Sequence, residues 1–350
     1  MYLPSPRCTG STSKLLPSVS LSLSWQRLNH SFTGQIMASD GSAKGDKAVA
    51  KFHEYLVGCK RVIALSGAGL SAASGLATFR GAGGLWRSHD ATSLATPGAF
   101  NRDPALVWRF YSYRRHKAMQ ADPNAAHYAL AELARRLPGF QHLSQNVDGL
   151  SQRADHPREQ LQLLHGTLFE VKCNSKVCDY KEENFVDPIV PALDIPHDSH
   201  DPTTNKALGK DKKGKELDIS DASVKIADIP REDLPQCPRC KKDLLRPGVV
   251  WFGEQLPTQV LSNVDEYFDE GDVDLIMVVG TSAKVYPAAG NIERARMTGA
   301  RVCVVNMDEN DAPAGGWEPG DWFFKGDAGT IVPELLRPVI GDVKMPSAKA

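Results

Sequence analysis

Four short apolar runs, with helix-like segments between them, each end in a glycine or a polar residue. The first, RVIALSGAG (61–69), follows a segment with apolar residues at helical spacing, KAVAKFHEYLVGC (47–59). The later runs are FQHLSQN (140–146), DLIMVVG (274–280) and RVCVVN (301–306). Continuous apolar strands of this length are typical of a mostly parallel sheet that helices cover on both faces. The sequence therefore predicts an α/β fold.

The composition is that of a soluble globular protein. The chain has 350 residues, of which 41% are hydrophobic and 24% charged, and its formal net charge is -1. A balance so close to neutral gives no general electrostatic attraction to nucleic acid or to an anionic membrane. No run approaches the roughly 18–20 apolar residues that a membrane-spanning helix requires. We therefore expect no nucleic-acid partner and no membrane partner.

The N-terminal segment differs in composition from the rest of the chain. Residues 1–39 contain no Asp or Glu, but they include arginine and lysine among many Ser and Leu residues. Such segments are typical of mitochondrial transit peptides, although a disordered tail has a similar composition. We expect a leader over residues 1–44 and a mitochondrial location. Translation from Met37 would omit most of this leader and would favour the cytoplasm and nucleus.

Four of the seven cysteines form two close pairs, Cys173-x4-Cys178 and Cys237-x2-Cys240. This pattern suits tetrahedral Zn²⁺ in a reducing compartment better than a disulfide framework. Because all four ligands would be thiolates, no position would remain for water, and the metal would be structural. We expect one zinc ion that braces a small module otherwise lacking a core.

The glycine turn after the first strand is a candidate phosphate site. Gly67 and Gly69 permit positive φ and close backbone approach, so that free N–H groups could face a phosphate. The acidic ribose partner that dehydrogenases carry about 20 residues further on is missing. This turn therefore does not have the ordinary dehydrogenase pattern.

Polar residues follow the later strands where α/β sheets bind ligands. Gln145, Asn146 and Asp148 come directly after one strand, and Gly280-Thr281-Ser282 and Asn306 end two others. Asn and Asp also cap helices, which is the simpler explanation for any one of them. Together these strand ends outline one crevice.

The stretch FYSYRR (110–115) places a phenol beside a guanidinium, because Tyr111 and Arg114 are three residues apart on one helix face. Taken alone, it is best explained as a surface helix. His165, between an apolar run and a glycine, is likewise more often structural than catalytic when taken alone.

The combined motifs resemble the sirtuin family, the NAD-dependent protein lysine deacylases. They occur in family order over about residues 45–340: GAGLSAASGLATFRG, SQNVD, LHG, the two cysteine pairs, VVWFGE, VVGTS and VVN. The resemblance implies a Rossmann-like doubly wound parallel sheet, a smaller zinc-binding module and an active site in the cleft between them.

The resemblance also implies the domain bounds. The catalytic domain would span 45–342, and residues 343–350 would form a tail. The zinc-binding module would span 169–250. Within it, residues at about 196–228 are polar, charged and unpatterned, which predicts a surface insertion or disordered loop. The x4 spacing of the first cysteine pair and the length of this connection depart from the common family pattern.

NAD would be a consumed co-substrate in this cleft and would not carry hydride. Position by position, the resemblance assigns to the NAD site Gly67, Ala68, Gly69, Ala73, Thr78, Phe79, Arg80, Trp86, Gln145, Asn146, Asp148, Gly280, Thr281, Ser282, Asn306 and Ala328.

His165 falls on the family's catalytic base, and Asn146 is assigned beside it. In the family reaction the acyl oxygen attacks C1′ of the nicotinamide ribose and nicotinamide leaves. A base then takes a proton through the ribose hydroxyls, so that the 2′-oxygen can attack the acyl carbon. An imidazole can do this at neutral pH. The products would be free lysine, nicotinamide and an O-acyl-ADP-ribose.

Tyr111 and Arg114 match the pair that binds acidic acyl groups in the sirtuin subgroup that prefers them. Hydrogen bonds to a charged group contribute roughly 1.5–3 kcal/mol, which gives about a 10–100-fold preference for succinyl or malonyl over acetyl. Ala95 would leave room for the longer acyl chain. Val250 and Phe252 would contact the substrate peptide, which would pair as an added strand.

The resemblance therefore predicts removal of succinyl, malonyl and glutaryl groups from protein lysines by a monomeric enzyme. A plain deacetylase or a mono-ADP-ribosyltransferase of the same family is the alternative within the family. From another class, the alternative is a non-catalytic NAD-sensing or zinc-mediated binding module.

Overall fold

The computed structural model describes residues 35–38, 43–78, 84–198, 215–313 and 315–346. Phe79 and Arg80, most of the predicted leader and part of the polar insertion lie outside the described residues. The strands, in chain order, are β1 Gln35–Ala38, β2 Val62–Ser66, β3 Leu85–Trp86, β4 His89–Asp90, β5 Phe140–Ser144, β6 Leu161–Leu163, β7 Gly166–Cys173, β8 Lys181–Glu183, β9 Leu245–Val249, β10 Leu275–Val279, β11 Arg301–Asn306 and β12 Trp322–Lys325.

Helices connect most of these strands. In chain order they are α1 Ala43–Gly58, α2 Gly69–Ala72, α3 Ala91–Leu94, α4 Pro97–Arg102, α5 Pro104–Gln120, α6 Ala125–Arg136, α7 Leu150–Arg153, α8 Thr258–Asp269, α9 Gly290–Met297 and α10 Ala328–Ile340. Within the described ranges, no helix combines the length and apolar character needed to cross a bilayer.

Seven strands form one parallel sheet in the order β1-β12-β11-β10-β2-β5-β6. Both faces of β2 are buried, since Val62 and Ala64 pack into one apolar cluster and Ile63 and Leu65 into another. Helices α1, α6 and α10 cover the first face, and α8 and α9 cover the second. The predicted Rossmann-like, doubly wound sheet is confirmed.

The strand order reverses its direction at β2. The chain proceeds from β2 to β5 and β6 on one side, and then returns to β10, β11 and β12 on the other. Ligands of such sheets bind beyond the carboxyl ends of the strands at this reversal. The segments that begin at Gly67, Gln145 and Gly280 follow β2, β5 and β10 at this edge.

A smaller lobe contains the cysteine pairs. Its three-stranded antiparallel sheet has the order β8-β7-β9, and helices α3, α4 and α5 pack on it. Trp108 of α5 is 2% exposed and donates its indole N–H to the Leu245 carbonyl at 2.9 Å. The expectation that this module lacks a core is wrong, because α3–α5 contribute apolar residues that its short strands do not supply.

Local sequence features explain where helix α5 begins and ends. The Asp103 side chain accepts a hydrogen bond from the Leu106 N–H, and Pro104 occupies the first turn, where no N–H is needed. The helix ends at Gln120, shortly before Pro123. It therefore carries Tyr111 and Arg114 on a rigid, capped element.

Two segments that the sequence analysis treated as peripheral carry structure where they are described. Residues 35–38 of the predicted leader form β1, which pairs with β12 at the edge of the sheet. At the end of the polar insertion, Glu216 bridges to His197 and Ile219 is buried.

Candidate active site

A cleft of about 790 Å³ lies between the carboxyl edge of the large sheet and the smaller lobe. Pockets that bind small molecules usually have volumes of about 300–1,000 Å³. The predicted residues that line the cleft are Gly67, Ala68, Gly69, Thr78, Trp86, Ala95, Tyr111, Arg114, Gln145, Asn146, Asp148, His165, Val250, Phe252, Gly280, Thr281, Ser282, Asn306 and Ala328. Ala73 does not line it, because it ends α2 and packs towards Gly329.

The floor of the cleft is made by two chain turns in van der Waals contact. A Cβ on Gly67 would lie 2.6 Å from Thr281 Cβ, and a Cβ on Gly69 would lie 2.6 Å from Gly280 Cα. Neither Gly67 nor Gly69 has a positive φ, whereas Gly280 has φ +59°. Gly67 and Gly69 are therefore required because the turn after β2 packs closely against the turn after β10.

The expectation of free N–H groups is also wrong for Gly67 and Gly69. The Gly67 N–H donates to the Val279 carbonyl at 3.0 Å, and the Gly69 N–H donates to the Gly280 carbonyl at 2.8 Å. These bonds join the end of β2 to the end of β10. An anion in the cleft would need other donors.

Two side-chain amides after β5 hold the cleft together. The Gln145 amide donates to the Ser66 carbonyl and to Thr281 Oγ1, both at 3.2 Å. The Asn146 amide donates to the Gly67 carbonyl at 2.9 Å and to Ser71 Oγ at 3.2 Å. Both residues thus connect β5 to the glycine turn.

His165 follows β6 with its imidazole on the cleft. Its Nδ1 lies 3.1 Å from the Gln145 carbonyl, so that Nδ1 carries the proton and Nε2 remains a lone-pair acceptor. Burial lowers the pKa of His165, and the hydrogen bond to Gln145 partly opposes this shift. The imidazole is therefore mostly neutral at pH 7 and can accept a proton.

A buried hydrogen-bond chain that starts at the cleft wall was missed by sequence reasoning. Ser71 donates to Asp148 Oδ2 at 2.7 Å, and His127 Nε2 lies 3.4 Å from Ser71 Oγ. The main-chain N–H of Asn124 donates to His127 Nδ1 at 3.2 Å, which leaves the proton on Nε2. The chain orients the Asp148 carboxylate. Burial raises the pKa of Asp148, while hydrogen bonds from Leu150 and Ser71 oppose the shift.

Tyr111 and Arg114 reach the cleft together from α5. Tyr111 is 1% exposed, and its ring packs against that of Trp251 with centroids 6.3 Å apart. Burial raises the pKa of Tyr111 despite the positive charge of Arg114, so the phenol stays protonated. The Arg114 guanidinium donates to the Ala77 carbonyl at 3.3 Å. Burial lowers the pKa of Arg114, and Tyr111 and Asp148 oppose this shift.

The main-chain N–H groups of the segment directly after β9 donate hydrogen bonds within the protein. The N–H groups of Val250 and Phe252 donate to the carbonyls of His165 and Ala95, both at 2.9 Å. The Trp251 N–H donates to Glu254 Oε2 at 2.9 Å. These amides are not available to a peptide strand. The predicted peptide contact at Val250 stays a prediction, and it would have to use other groups.

Four thiols meet in the smaller lobe. The sulfur atoms of Cys173, Cys178, Cys237 and Cys240 all lie within 4.8 Å of one another. The distances Cys173–Cys240 and Cys178–Cys237 are 3.7 and 3.8 Å. Tetrahedral Zn²⁺ with bonds of about 2.3 Å would place its sulfur ligands about 3.8 Å apart. The donor set therefore fits a closed zinc site.

The fold and the cleft define a Rossmann-like α/β protein with a small cysteine-bearing lobe and a polar cleft between the two. Residues 67–287 match the Sir2 family, and the chain belongs to this family, the sirtuins. An NAD-dependent protein deacylase of Candida albicans is 44% identical over 306 residues, which cover 85% of this chain and 100% of that protein.

Two further similarities bear on the cleft. The mitochondrial NAD-dependent protein deacylase sirtuin-5 of Canis lupus familiaris is 38% identical over 85% of this chain and 87% of that protein. The crystal structure of a Sir2 homologue in complex with NAD superimposes with a TM-score of 0.61 at 33% identity, covering 87% of this chain and 96% of that chain.

Proposed function

We propose that the protein is an NAD-dependent protein deacylase that removes succinyl, malonyl and glutaryl groups from lysine side chains. The relatives named NAD-dependent protein deacylase support the general activity, and the sirtuin-5 relative supports the acyl class. The products are free lysine, nicotinamide and O-acyl-ADP-ribose. The partners are acylated lysines of proteins, and the enzyme acts as a monomer without nucleic acid or membrane.

The preference for acidic acyl groups rests on Tyr111 and Arg114. Both line the cleft, the phenol is buried against the Trp251 ring, and burial lowers the pKa of the half-buried guanidinium. A carboxylate can accept from both groups at once, and charge-assisted hydrogen bonds are about twice as strong as neutral ones. An acetyl group offers no such acceptor.

His165 is the base of the proposed reaction. His165 lines the cleft, and its Nε2 takes the proton that must leave the ribose hydroxyls during acyl transfer. Asn146 sits between the glycine turn and Ser71 and positions the co-substrate. NAD supplies the ADP-ribose acceptor when bound, held by the residues at the ends of β2, β5, β10 and β11. Zinc, held by the four thiolates, is structural.

We propose a mitochondrial location. The sirtuin-5 relative is named mitochondrial, and the acid-poor composition of residues 1–39 is that of a transit peptide. Import of a fluorescent fusion of residues 1–44 into mitochondria tests this directly. A fusion that stays in the cytoplasm and nucleus would favour the start at Met37.

The test of acyl preference is nicotinamide release from matched acetyl-, malonyl-, succinyl- and glutaryl-lysine peptides. We expect kcat/KM for succinyl to exceed that for acetyl by about 10–100-fold. Arg114→Met should abolish most desuccinylation and leave slow deacetylation, because it removes the charge and keeps most of the side-chain volume. Arg102→Met, on the exposed end of α4, is the matched control and should leave the ratio unchanged.

Three outcomes would contradict the proposal. An equal loss of both activities in Arg114→Met would show that the guanidinium supports the fold and does not select the acyl group. A wild-type enzyme that removes acetyl as fast as succinyl would be a plain deacetylase. Protein labelling by NAD without acyl removal would indicate a mono-ADP-ribosyltransferase.

A further inference from the structure

Arg87 binds the end of the polar insertion through both its main chain and its guanidinium. Its main-chain N–H donates to the Ser220 carbonyl at 2.7 Å. Its guanidinium donates hydrogen bonds of 2.9–3.1 Å to the carbonyls of Ile219, Asp221, Ala222 and Val224. Because these acceptors are main-chain groups, the bonds fix the path of the chain. We call residues 215–226 the wall segment.

The backbone of Arg87 is itself in a costly conformation. Its φ of 56° lies in the left-handed region, which non-glycine residues rarely adopt. Such conformations persist only where surrounding contacts hold the backbone in place. For Arg87, the hydrogen bonds to the wall segment hold it. The turn between β3 and β4 is thus shaped to hold the insertion.

The other side of the wall segment is fixed to α5. The Tyr113 hydroxyl donates to Asp218 Oδ1 at 2.8 Å, and Ser220 Oγ donates to the same oxygen at 2.5 Å. The Ile219 side chain is 5% exposed and packs into the core of the smaller lobe. A segment that is anchored on two sides is a structural wall of the lobe.

The wall segment stands at the end of the cleft where Arg114 lies. Trp86, next to Arg87, packs edge-on against Phe110 with ring centroids 5.7 Å apart. The Arg114 guanidinium lies 5.6 Å from the centroid of the same Phe110 ring. Ser220 lines the cleft together with Trp86, Phe110 and Arg114.

We propose that the wall segment closes the far end of the acyl site and sets the longest acyl chain that the enzyme accepts. Ser220 is the residue that meets the acyl tail, and Arg87 is the positioning residue that holds Ser220 in place. The inference rests on the proposed deacylase function. It does not depend on the preference for acidic groups.

The test uses two series of acyl-lysine peptides with the full-length enzyme at saturating NAD. One series is neutral, from acetyl through butyryl and hexanoyl to octanoyl. The other is acidic, from succinyl through glutaryl to adipoyl. In wild type we expect kcat/KM to fall sharply beyond a limiting length in both series. One methylene that does not fit a pocket costs about tenfold or more.

Three variants move that limit in opposite directions. Ser220→Phe should shorten it, so that the ratio of glutaryl to succinyl kcat/KM falls by about tenfold. Ser220→Gly and Arg87→Met should lengthen it, so that the ratio of adipoyl to succinyl kcat/KM rises by about tenfold. Arg102→Met serves again as the arginine control, with an unchanged length profile.

The outcomes separate the possible failures. If Arg87 were only structural, Arg87→Met would lower kcat/KM by one common factor at every length. If neither Ser220 variant changed the length profile, the wall segment would not contact the acyl tail, and the inference would be wrong. If succinyl and butyryl were removed equally fast, the acidic preference would fail while the length limit still stood.

Discussion

The hydrogen bond between His165 Nδ1 and the Gln145 carbonyl determines which nitrogen can act in the cleft. A carbonyl can only accept, so the proton stays on Nδ1 and the lone pair on Nε2. Burial also keeps the imidazole neutral. Both effects prepare the same atom to take a proton.

The pH dependence of the reaction should show this preparation. A base must be unprotonated, and burial lowers the pKa of His165 from its usual 6.5. We therefore expect kcat/KM to stay level as pH falls to 6.5 and to decline only below that pH. His165→Gln should lower kcat by about 10²–10⁴-fold and remove the acid limb of the profile. A decline that begins well above pH 7 would contradict the assignment.

Sequence reasoning placed His165, Asn146 and the Tyr111/Arg114 pair in one cleft because each lies in a recognisable motif. It could not place His127, whose role depends on a hydrogen bond to Ser71 over 56 residues. It also explained the glycine at position 67 by backbone conformation, whereas the structure explains it by the close contact with Thr281. Contacts between distant turns leave no periodic pattern in a sequence.

At the scale of elements, α5 carries the proposed substrate selectivity and part of the smaller lobe's core. Its buried Arg115 donates to the Leu168 carbonyl of β7 at 2.8 Å and to the Val186 carbonyl at 3.1 Å. Helix and small sheet are therefore one packed body. We infer that the state of the cysteine site affects the acyl site through this shared core.

Zinc removal should test this connection. Zn²⁺ bound by four thiolates contributes on the order of 10 kcal/mol of folding free energy in small zinc modules, comparable with the whole stability of a domain. We expect strong chelation at pH 7 to release one Zn²⁺ per chain and to increase amide exchange in β7 and β9. Strands β10 and β11, on the far side of the cleft, should stay protected.

The control for this experiment is a chelator saturated with zinc, which should leave exchange unchanged. Cys240→Ser should reproduce the effect of chelation without any reagent. Purified protein without zinc, or β7 exchange that does not respond, would show that the thiols hold no structural metal.

The wall segment is the element that sequence reasoning described least well. Its charged, unpatterned residues predicted a surface loop, yet Arg87 binds its carbonyls and Tyr113 binds its Asp218. Main-chain acceptors are the same for every residue type. An anchor of this kind can therefore be found only once the fold is known.

For the whole molecule, three buried histidines make stability depend on pH. Burial lowers the pKa of His127 to about 3 and that of His156 to about 4. Burial and the neighbouring histidines lower the pKa of His142 well below its usual value. Unfolded histidines have pKa values near 6.5. Below that pH the unfolded chain binds more protons, so stability falls as pH falls.

We expect the free energy of unfolding to drop by about 2 kcal/mol for His156 alone between pH 6.5 and pH 5, at 1.36 kcal/mol per pKa unit. Urea unfolding at the two pH values measures the drop. His156→Gln, which keeps a donor for the Pro157 carbonyl, should reduce it by that amount. An unchanged pH dependence in this variant would mean that folding does not shift the pKa of His156.

The architecture was predictable because each central strand is buried on both faces. Val62 to Leu65 and Leu275 to Val279 read as unbroken apolar runs for that reason. The sequence did not predict that α3–α5 belong to the smaller lobe, since these helices precede β7 by many residues and carry no cysteine. Only the folded chain brings Trp108 onto the strand that contains Leu245.

The contact between Gly69 and Gly280 has a consequence for engineering. Even a methyl group on either residue would force the two turns apart and tilt everything mounted on them. Single substitutions at these two glycines would therefore disrupt the floor of the cleft, whereas the side chains around the acyl site can be replaced one at a time. Mutant libraries meant to retune this enzyme should diversify the walls and leave both glycines untouched.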